Sequence, residues 1–313
     1  MIRFVLAVLL LISPGLAEAA PKPGPKRIAL SFDDVPRGPG AFLTPDQRTQ
    51  GILSGLAAAK VEQAVFFVTT GNLDKPGGEG GEERIMMYSA GGSLIANHSH
   101  SHRRLSQVSA EEYLQDVDRA SAWLRNRPNS RPWFRFPFLD EGRADKAKRD
   151  AVRAGLAKRG LMNGYVTVDG ADWKLEALTV AAGEAGKHMD MGALRELYVE
   201  TMVGAANFYD GLARKTLGRS PAHMLLLHET DLAALFLPAL VEALRDDGWQ
   251  IITADEAYSD PIARARPDTP SAQGTLIEAL AWEKGLPAPR WYEGEEENVA
   301  EALFARRVLK EDP

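Results

Sequence analysis

Cysteine is absent from all 313 residues, which excludes disulfides, thiolate nucleophiles and sulfur-ligated metal. Any metal here must be held by histidine and carboxylate. Dense basic clusters are also missing: the basic residues form only short pairs such as Arg103 and Arg104, and the net charge is −6. Nucleic acid and anionic membrane surfaces are thereby set aside as partners. The apolar stretch Phe4 to Ile12 is too short to span a bilayer comfortably. What remains is an ordinary globular composition, 45% hydrophobic and 26% charged, enough for one large domain or two small ones.

The first twenty residues differ from the rest. Arg3 precedes the apolar stretch, a Pro-Gly pair follows, and the small-residue sequence Ala-Glu-Ala-Ala leads into PKPGPK. This is the layout of a secretory signal peptide over 1–20, with a flexible mature start. Export is expected, to a Gram-negative periplasm first and to the medium second, since the chain shows no wall-anchoring repeat or sorting segment.

Beyond the leader, apolar runs alternate with amphipathic stretches. Strands are expected at Arg27–Phe32, Ala64–Val68, Leu94–Asn97, Trp133–Phe136, Tyr165–Val168, Met224–Leu227 and Trp249–Thr253. Helices are expected at Thr44–Ala59, around Glu83–Ala90, at Ser109–Arg125 behind a Ser109/Glu112 capping box, at Ala144–Lys158, Gly192–Leu217 and Leu232–Arg245. The Gly-rich run GNLDKPGGEGGEE reads as a surface excursion. About seven strand and helix alternations favour an α/β architecture with a parallel sheet closed into an incomplete or distorted barrel. Residues 257–313 change character, turning Pro-rich and then acidic, and read as a C-terminal accessory helical segment after a catalytic domain over 21–256.

In such barrels the active site gathers at the carboxyl ends of the strands. Those positions hold Asp33 and Asp34, the run Asn97-His98-Ser99-His100-Ser101-His102, Arg135-Phe136-Pro137-Phe138, then Asp169, Asp172 and Trp173, and finally His228. Taken singly, an Asp there caps helices and a lone His is structural, the reading that suits His188 and His223. On spacing alone HSHSH fits a metal site and a polar loop about equally. Together, however, two imidazoles and one carboxylate make a three-ligand set with open positions, the arrangement of a catalytic metal. A divalent cation also explains adjacent like charges, because it takes one carboxylate as ligand and leaves the other as a base.

Ser-Phe-Asp-Asp at 31–34, His-Ser-His-Ser-His at 98–102, Arg-Phe-Pro-Phe at 135–138, Asp-Trp at 172–173 and Leu-Leu-His at 226–228 resemble the five ordered motifs of the polysaccharide deacetylases, carbohydrate esterase family 4. The resemblance spans roughly residues 27 to 255 and implies a distorted (β/α)7 barrel. It implies Asp34, His98 and His102 as metal ligands, Asp33 as catalytic base and Arg135 as the arginine that orients it. His228 corresponds to the general acid, with Asp172 or Asp169 tuning it, the Phe138 N–H to an oxyanion donor, and Trp173 to a wall of the acyl pocket. Val35-Pro36, Phe136 and Leu139 depart from the family's usual residues and bear on the substrate groove. His100 is expected outside the triad if 98–102 forms a helical turn, and returns as a candidate if the run is extended.

The implied activity is metal-dependent removal of N-acetyl groups from an amino-sugar polymer or oligosaccharide, with zinc the first choice and Co, Ni, Mn or Fe compatible with the same ligands. O-acetyl ester cleavage on xylan-like chains and hydrolysis of another amide, such as a formyl or cyclic one, use the same chemistry. A non-catalytic glycan-binding module is the reading from another class, with Trp282, Trp291 and Tyr292 as an aromatic platform or as core anchors.

Overall fold

The computed structural model describes residues 24–311; the leader read at 1–20 lies outside them. In chain order the elements are β1 (Lys26–Val35), α1 (Pro45–Ala58), β2 (Val65–Val68), α2 (Gly81–Ala90), β3 (Leu94–Asn97), α3 (Ala110–Leu124), β4 (Ser130–Phe134), β5 (Asp140–Arg143), α4 (Lys146–Lys158), β6 (Met162–Asn163), α5 (Asp172–Glu184), α6 (Met191–Leu217), β7 (Ala222–His228), α7 (Asp231–Asp246), β8 (Trp249–Ile251), α8 (Ala254–Tyr258), β9 (Ala272–Gln273), α9 (Leu276–Glu283) and α10 (Glu297–Phe304). Seven strands form one sheet in the order β6-β4-β3-β2-β1-β7, with β8 paired to the start of β1. Every pairing in it is parallel. Ile28, Ala29, Leu30 and Phe32 of β1 are wholly buried, as befits a central parallel strand covered on both faces.

The ring closes through the segment after α4. Met162–Asn163 pairs with β4, and Val168 bridges Leu225 of β7 in parallel. The result is an α/β distorted barrel. A continuous strand over Tyr165–Val168, expected from its apolar content, gives way to this division because one short segment must reach both edges. The sequence reading also passed over α5. Its buried stripe carries Glu176 and Thr179 beside Leu175 and Ala182, and two polar residues in four mask the apolar period. Glu176 has a partner: its carboxylate accepts the backbone N–H groups of Asp231 and Leu232 at 3.2 Å each, at the open end of α7.

The loop between β1 and α1, which borders the site, is clamped by a buried ion pair. Arg48 of α1 donates from Nε to Asp231 Oδ1 at 2.8 Å, and Asp231 Oδ2 accepts the N–H groups of Phe42 and Leu43 at 2.7 and 2.9 Å. Gly40 belongs to the same clamp, since a Cβ there would overlap the Asp231 carboxylate. Asp231→Ala would strand the Arg48 charge in the core and is expected to cost about 3–5 kcal/mol, read as a lower urea midpoint at unchanged slope.

Residues 257–311 fold back across the barrel. Arg149 of α4 donates to Asp268 at 2.7 Å, β9 pairs antiparallel with β5, and Lys174 of α5 donates to Glu297 and Glu301 of α10 at 2.8 and 2.7 Å. Tyr292 is partly buried and packs on the core beside Phe208, while the Trp282 ring is covered by Arg290, 4.5 Å from its centroid. These aromatics are engaged with the fold rather than displayed as a platform.

Candidate active site

In a regular strand Asp33 and Asp34 would point to opposite faces. Here Asp34 takes a left-handed conformation, φ 68°, and the pairing of β1 with β2 shifts register between Phe32 and Val35. The irregularity re-aims the strand end so that both carboxylates converge. His98 Nε2 lies 3.5 Å from Asp33 Oδ2 and 3.5 Å from Asp34 Oδ1, and His102 Nε2 lies 2.9 Å from Asp34 Oδ1. Asp34, although partly buried, is held well below the usual carboxylate range by His102 and His98.

The HSHSH run is a loop, neither a helical turn nor a strand, with Ser99 and His102 at φ 69° and 55°. Side chains tie it down at three points. Asn97 Oδ1 accepts Ser99 N at 2.7 Å, Ser99 Oγ accepts His102 N at 2.9 Å, and Asp116 accepts His100 N and Ser101 N at 3.1 and 2.9 Å. The helical turn expected from the four-residue spacing is thus replaced by a loop that still unites His98 and His102. His100 turns away to Thr70, Nδ1 to Oγ1 at 2.9 Å.

Asp34, His98 and His102 offer one ligand atom each, all within 4.8 Å of one another. Two observations test whether a cation fits. His98 Nδ1 lies 2.9 Å from the Arg135 carbonyl, which can only accept, so the ring proton sits there and a neutral His98 directs its Nε2 lone pair at the cluster. Asp34 Oδ1, buried, has no hydrogen-bond partner among the described residues. Lone pairs converging on one point fit a divalent cation held by nitrogen and oxygen ligands.

Arg135 follows β4 and is buried. Its Nη1 donates to both oxygens of Asp33, at 2.9 and 3.1 Å, and its Nη2 to Ser31 Oγ and Tyr258 Oη at 3.2 and 3.0 Å. The Arg135–Leu139 turn is strained, with Phe138 and Leu139 both left-handed at φ 58° and 51°. That turn leaves Phe138 exposed at the cavity, its ring 4.5 Å from that of His102.

The opposite wall is built by β7 and α5. Sheet register sets His228 directly beside Asp33. Asp172, wholly buried at the first turn of α5, receives both the His228 backbone N–H at 2.8 Å and the ring Nδ1 at 2.7 Å. Burial by itself would depress the His228 pKa, but the charge and hydrogen bond of Asp172, with the fields of Asp34 and Asp33, raise it to about 9. With Nδ1 engaged by Asp172, Nε2 is the nitrogen left for substrate. Trp173, half-exposed, lines the same cavity, whose volume is about 470 Å³.

All nine residues singled out from the sequence meet in or directly behind this cavity, and the two structural histidines lie elsewhere. His223 is buried between Asp210 and Thr167, and His188 is exposed. The sequence reading missed Arg37, Arg104, Gln273 and Glu295, which also line the cavity. Arg37 and Arg104 stand three and two positions past motif residues, a signal that was available. Gln273 and Glu295 arrive only because the C-terminal segment folds back. Burial and the nearby Asp169 push Glu295 up to about 9, and burial pushes Asp169 up to about 6. The Gly-rich run, expected as a surface excursion, also serves the site: Asn72 Nδ2 donates to the Asp34 carbonyl at 3.1 Å.

Residues 20–158 match the family model "Polysaccharide deacetylase". Over that stretch the chain is similar to the polysaccharide deacetylases. The matched part holds Asp33, Asp34, His98, His102, Arg135 and Phe138, and the Asp172–His228 wall lies beyond it. A chitooligosaccharide deacetylase of Bradyrhizobium sp. (strain ANU 289) is 30% identical over 152 residues, 48% of this chain and 60% of that relative, so the match leaves more than a third of the relative unspanned. Among solved structures, a chitin deacetylase of the fungal pathogen Colletotrichum lindemuthianum aligns with TM-score 0.51 and 18% identity over 77% of this chain and 93% of its own. A carbohydrate esterase family 4 pseudoenzyme of Bacillus anthracis aligns with TM-score 0.50 and 19% identity over 75% and 66%. One fold thus covers a protein titled as an enzyme and one titled as a pseudoenzyme, so turnover must be argued from side chains.

Proposed function

We propose that this chain is a polysaccharide deacetylase, a metal-dependent hydrolase that removes N-acetyl groups from an exported amino-sugar polymer or oligosaccharide, in the periplasm or outside the cell. The observation that carries this reading is the placement of Asp33, pinned by Arg135, between the Asp34–His98–His102 cluster and a carboxylate-backed His228. When bound by those three ligands, a divalent cation, zinc by preference, would lower the pKa of water and polarise the acyl carbonyl. Asp33 Oδ takes the proton of the attacking water, its orientation fixed by the buried guanidinium. The Phe138 N–H supports the oxyanion as the water oxygen bonds to the acyl carbon. His228 Nε2 then gives its proton to the sugar nitrogen as the C–N bond breaks, leaving acetate and a free amine. Trp173 closes the side of the acyl pocket.

The test is metal content by elemental analysis, paired with acetate release from chitooligosaccharides and from acetylated xylan before and after chelation. Stoichiometric metal with chelator-sensitive release from the chitooligosaccharide is expected. Release from xylan alone would move the reaction to esters, and metal without release from either would overturn the reading.

The pH profile should follow His228. Its acid form is the active one, so kcat falls as pH rises through its pKa, raised to about 9. A cation beside Asp34 offsets that residue's share of the field, which sets the limb at or below this value. Asp172→Asn removes the charge that outweighs burial, so the alkaline limb is expected to move down by about 1–2 pH units with a reduced plateau. An unmoved limb in that variant would detach Asp172 from the acid.

A further inference from the structure

The two oxygens of the Asp34 carboxylate have different neighbours. Oδ1 faces His102 Nε2 at 2.9 Å and His98 Nε2 at 3.5 Å, and it has no hydrogen-bond partner among the described residues. Oδ2 accepts Arg37 Nη1 at 3.3 Å. One oxygen is therefore left to the ligand cluster, and the other is taken by a cation of the chain itself.

Arg37 is anchored from behind. Its backbone N–H donates to the buried Glu229 carboxylate at 2.7 Å, whose other oxygen accepts Tyr88 Oη at 2.7 Å. Its carbonyl accepts Nη1 of the buried Arg48 at 3.4 Å. The carboxylates that could compete for its guanidinium are engaged: Glu229 by these bonds, and Glu176 by the N–H groups at the head of α7. The pair with Asp34 is the one ion pair that Arg37 makes among the described residues. Asp34 is held as well, since its carbonyl accepts Asn72 Nδ2 at 3.1 Å. A partly exposed ion pair of this kind adds little stability, so its consequence falls on how Asp34 can ligate.

We propose that Arg37 is a positioning residue that confines Asp34 to ligating through Oδ1 alone, and that it thereby selects zinc over divalent cations that seek more oxygen, such as manganese. This rests on the metal-cluster reading above. Zinc is satisfied by few nitrogen and oxygen ligands, whereas harder cations favour higher coordination numbers and carboxylates that offer both oxygens. With Arg37 on Oδ2 that second oxygen is engaged, and the guanidinium charge repels a cation drawn toward it.

The experiment measures Kd for zinc and for manganese by calorimetry on the metal-free full chain, in the parent, Arg37→Met and Arg37→Lys. Arg37→Met removes the donor and the charge, and it is expected to lower the ratio of manganese Kd to zinc Kd by about tenfold or more, the scale on which partners of a ligand act. Manganese gains more than zinc because the freed Oδ2 is worth more to it. Arg37→Lys keeps a cationic donor for Oδ2 and is expected to keep most of the parent's ratio. The melting temperature without metal should match the parent in both variants, since Glu229 and Arg48 hold the Arg37 backbone and not its side chain. Arg37→Gln repeats the measurement should Arg37→Met fold poorly. A parent-like ratio in the uncharged variant overturns the proposal, and so does an equal fall in Arg37→Lys, which would trace the effect to side-chain shape. A parent that binds neither metal would instead overturn the metal reading itself, so the two failures are distinct.

Discussion

Asp33→Asn is expected to bind metal as the parent does and to lose acetate release by about a thousandfold, within the range removed with a general base. The two halves of the result have separate causes. The ligand cluster is Asp34, His98 and His102, and none of them is altered. The charge that accepts the proton is altered, and so is the partner of a buried guanidinium: Arg135 Nη1 meets both Asp33 oxygens, at 2.9 and 3.1 Å. An asparagine oxygen can keep one of these bonds, but its NH2 group presents a donor to a donor. Some loss of stability is therefore expected alongside the loss of turnover, and thermal unfolding must accompany the kinetics to keep them apart. Tyr258→Phe is the matching control, because it removes a hydroxyl bonded to Arg135 at 3.0 Å without touching the charge pair. It should cost far less activity. Undiminished turnover in Asp33→Asn, with equal metal, would remove Asp33 from the role of base.

His98→Ala is expected to lose metal and acetate release together. One of three ligands is removed, and it is the one whose orientation is set from behind, by the Arg135 carbonyl at 2.9 Å. Added zinc should raise the melting temperature of the parent, since a ligand that binds only the folded state stabilises it, and should leave His98→Ala unmoved. This thermal readout does not depend on turnover or on finding the substrate. Stoichiometric metal in the variant would return the HSHSH run to an ordinary polar loop. The change also leaves the buried Arg135 carbonyl without its His98 partner, so the melting temperature without zinc is the baseline from which the zinc shift of each protein is read.

Both predictions depend on a site that fold likeness alone leaves open. A chitin deacetylase and a pseudoenzyme align with this chain almost equally, at TM-scores of 0.51 and 0.50. What distinguishes a working site is a set of side-chain distances a backbone comparison does not read.

The sequence by itself determined what short-range chemistry encodes. The strand Leu94–Asn97, the Ser109/Glu112 capping box at the head of α3 and the apolar run of β1 were legible because each is settled by residues a few positions apart. The nine site residues were legible for a different reason: each lies at or after the carboxyl end of an apolar run, and parallel strands in a barrel deliver such positions to one end. Tertiary structure decided what depends on partners far along the chain. Arg135 meets Asp33 and Asp172 meets His228 across 102 and 56 positions, at distances set by sheet register. The polar stripe of α5 makes sense only once Glu176 caps α7, and the short ends of β6 only once the barrel must close. Asp34 reaches its cluster through a left-handed φ that no apolar pattern announces. Glu295 and Gln273 enter the cavity because the last fifty residues fold back over it, and a local pattern carries no record of where a chain returns.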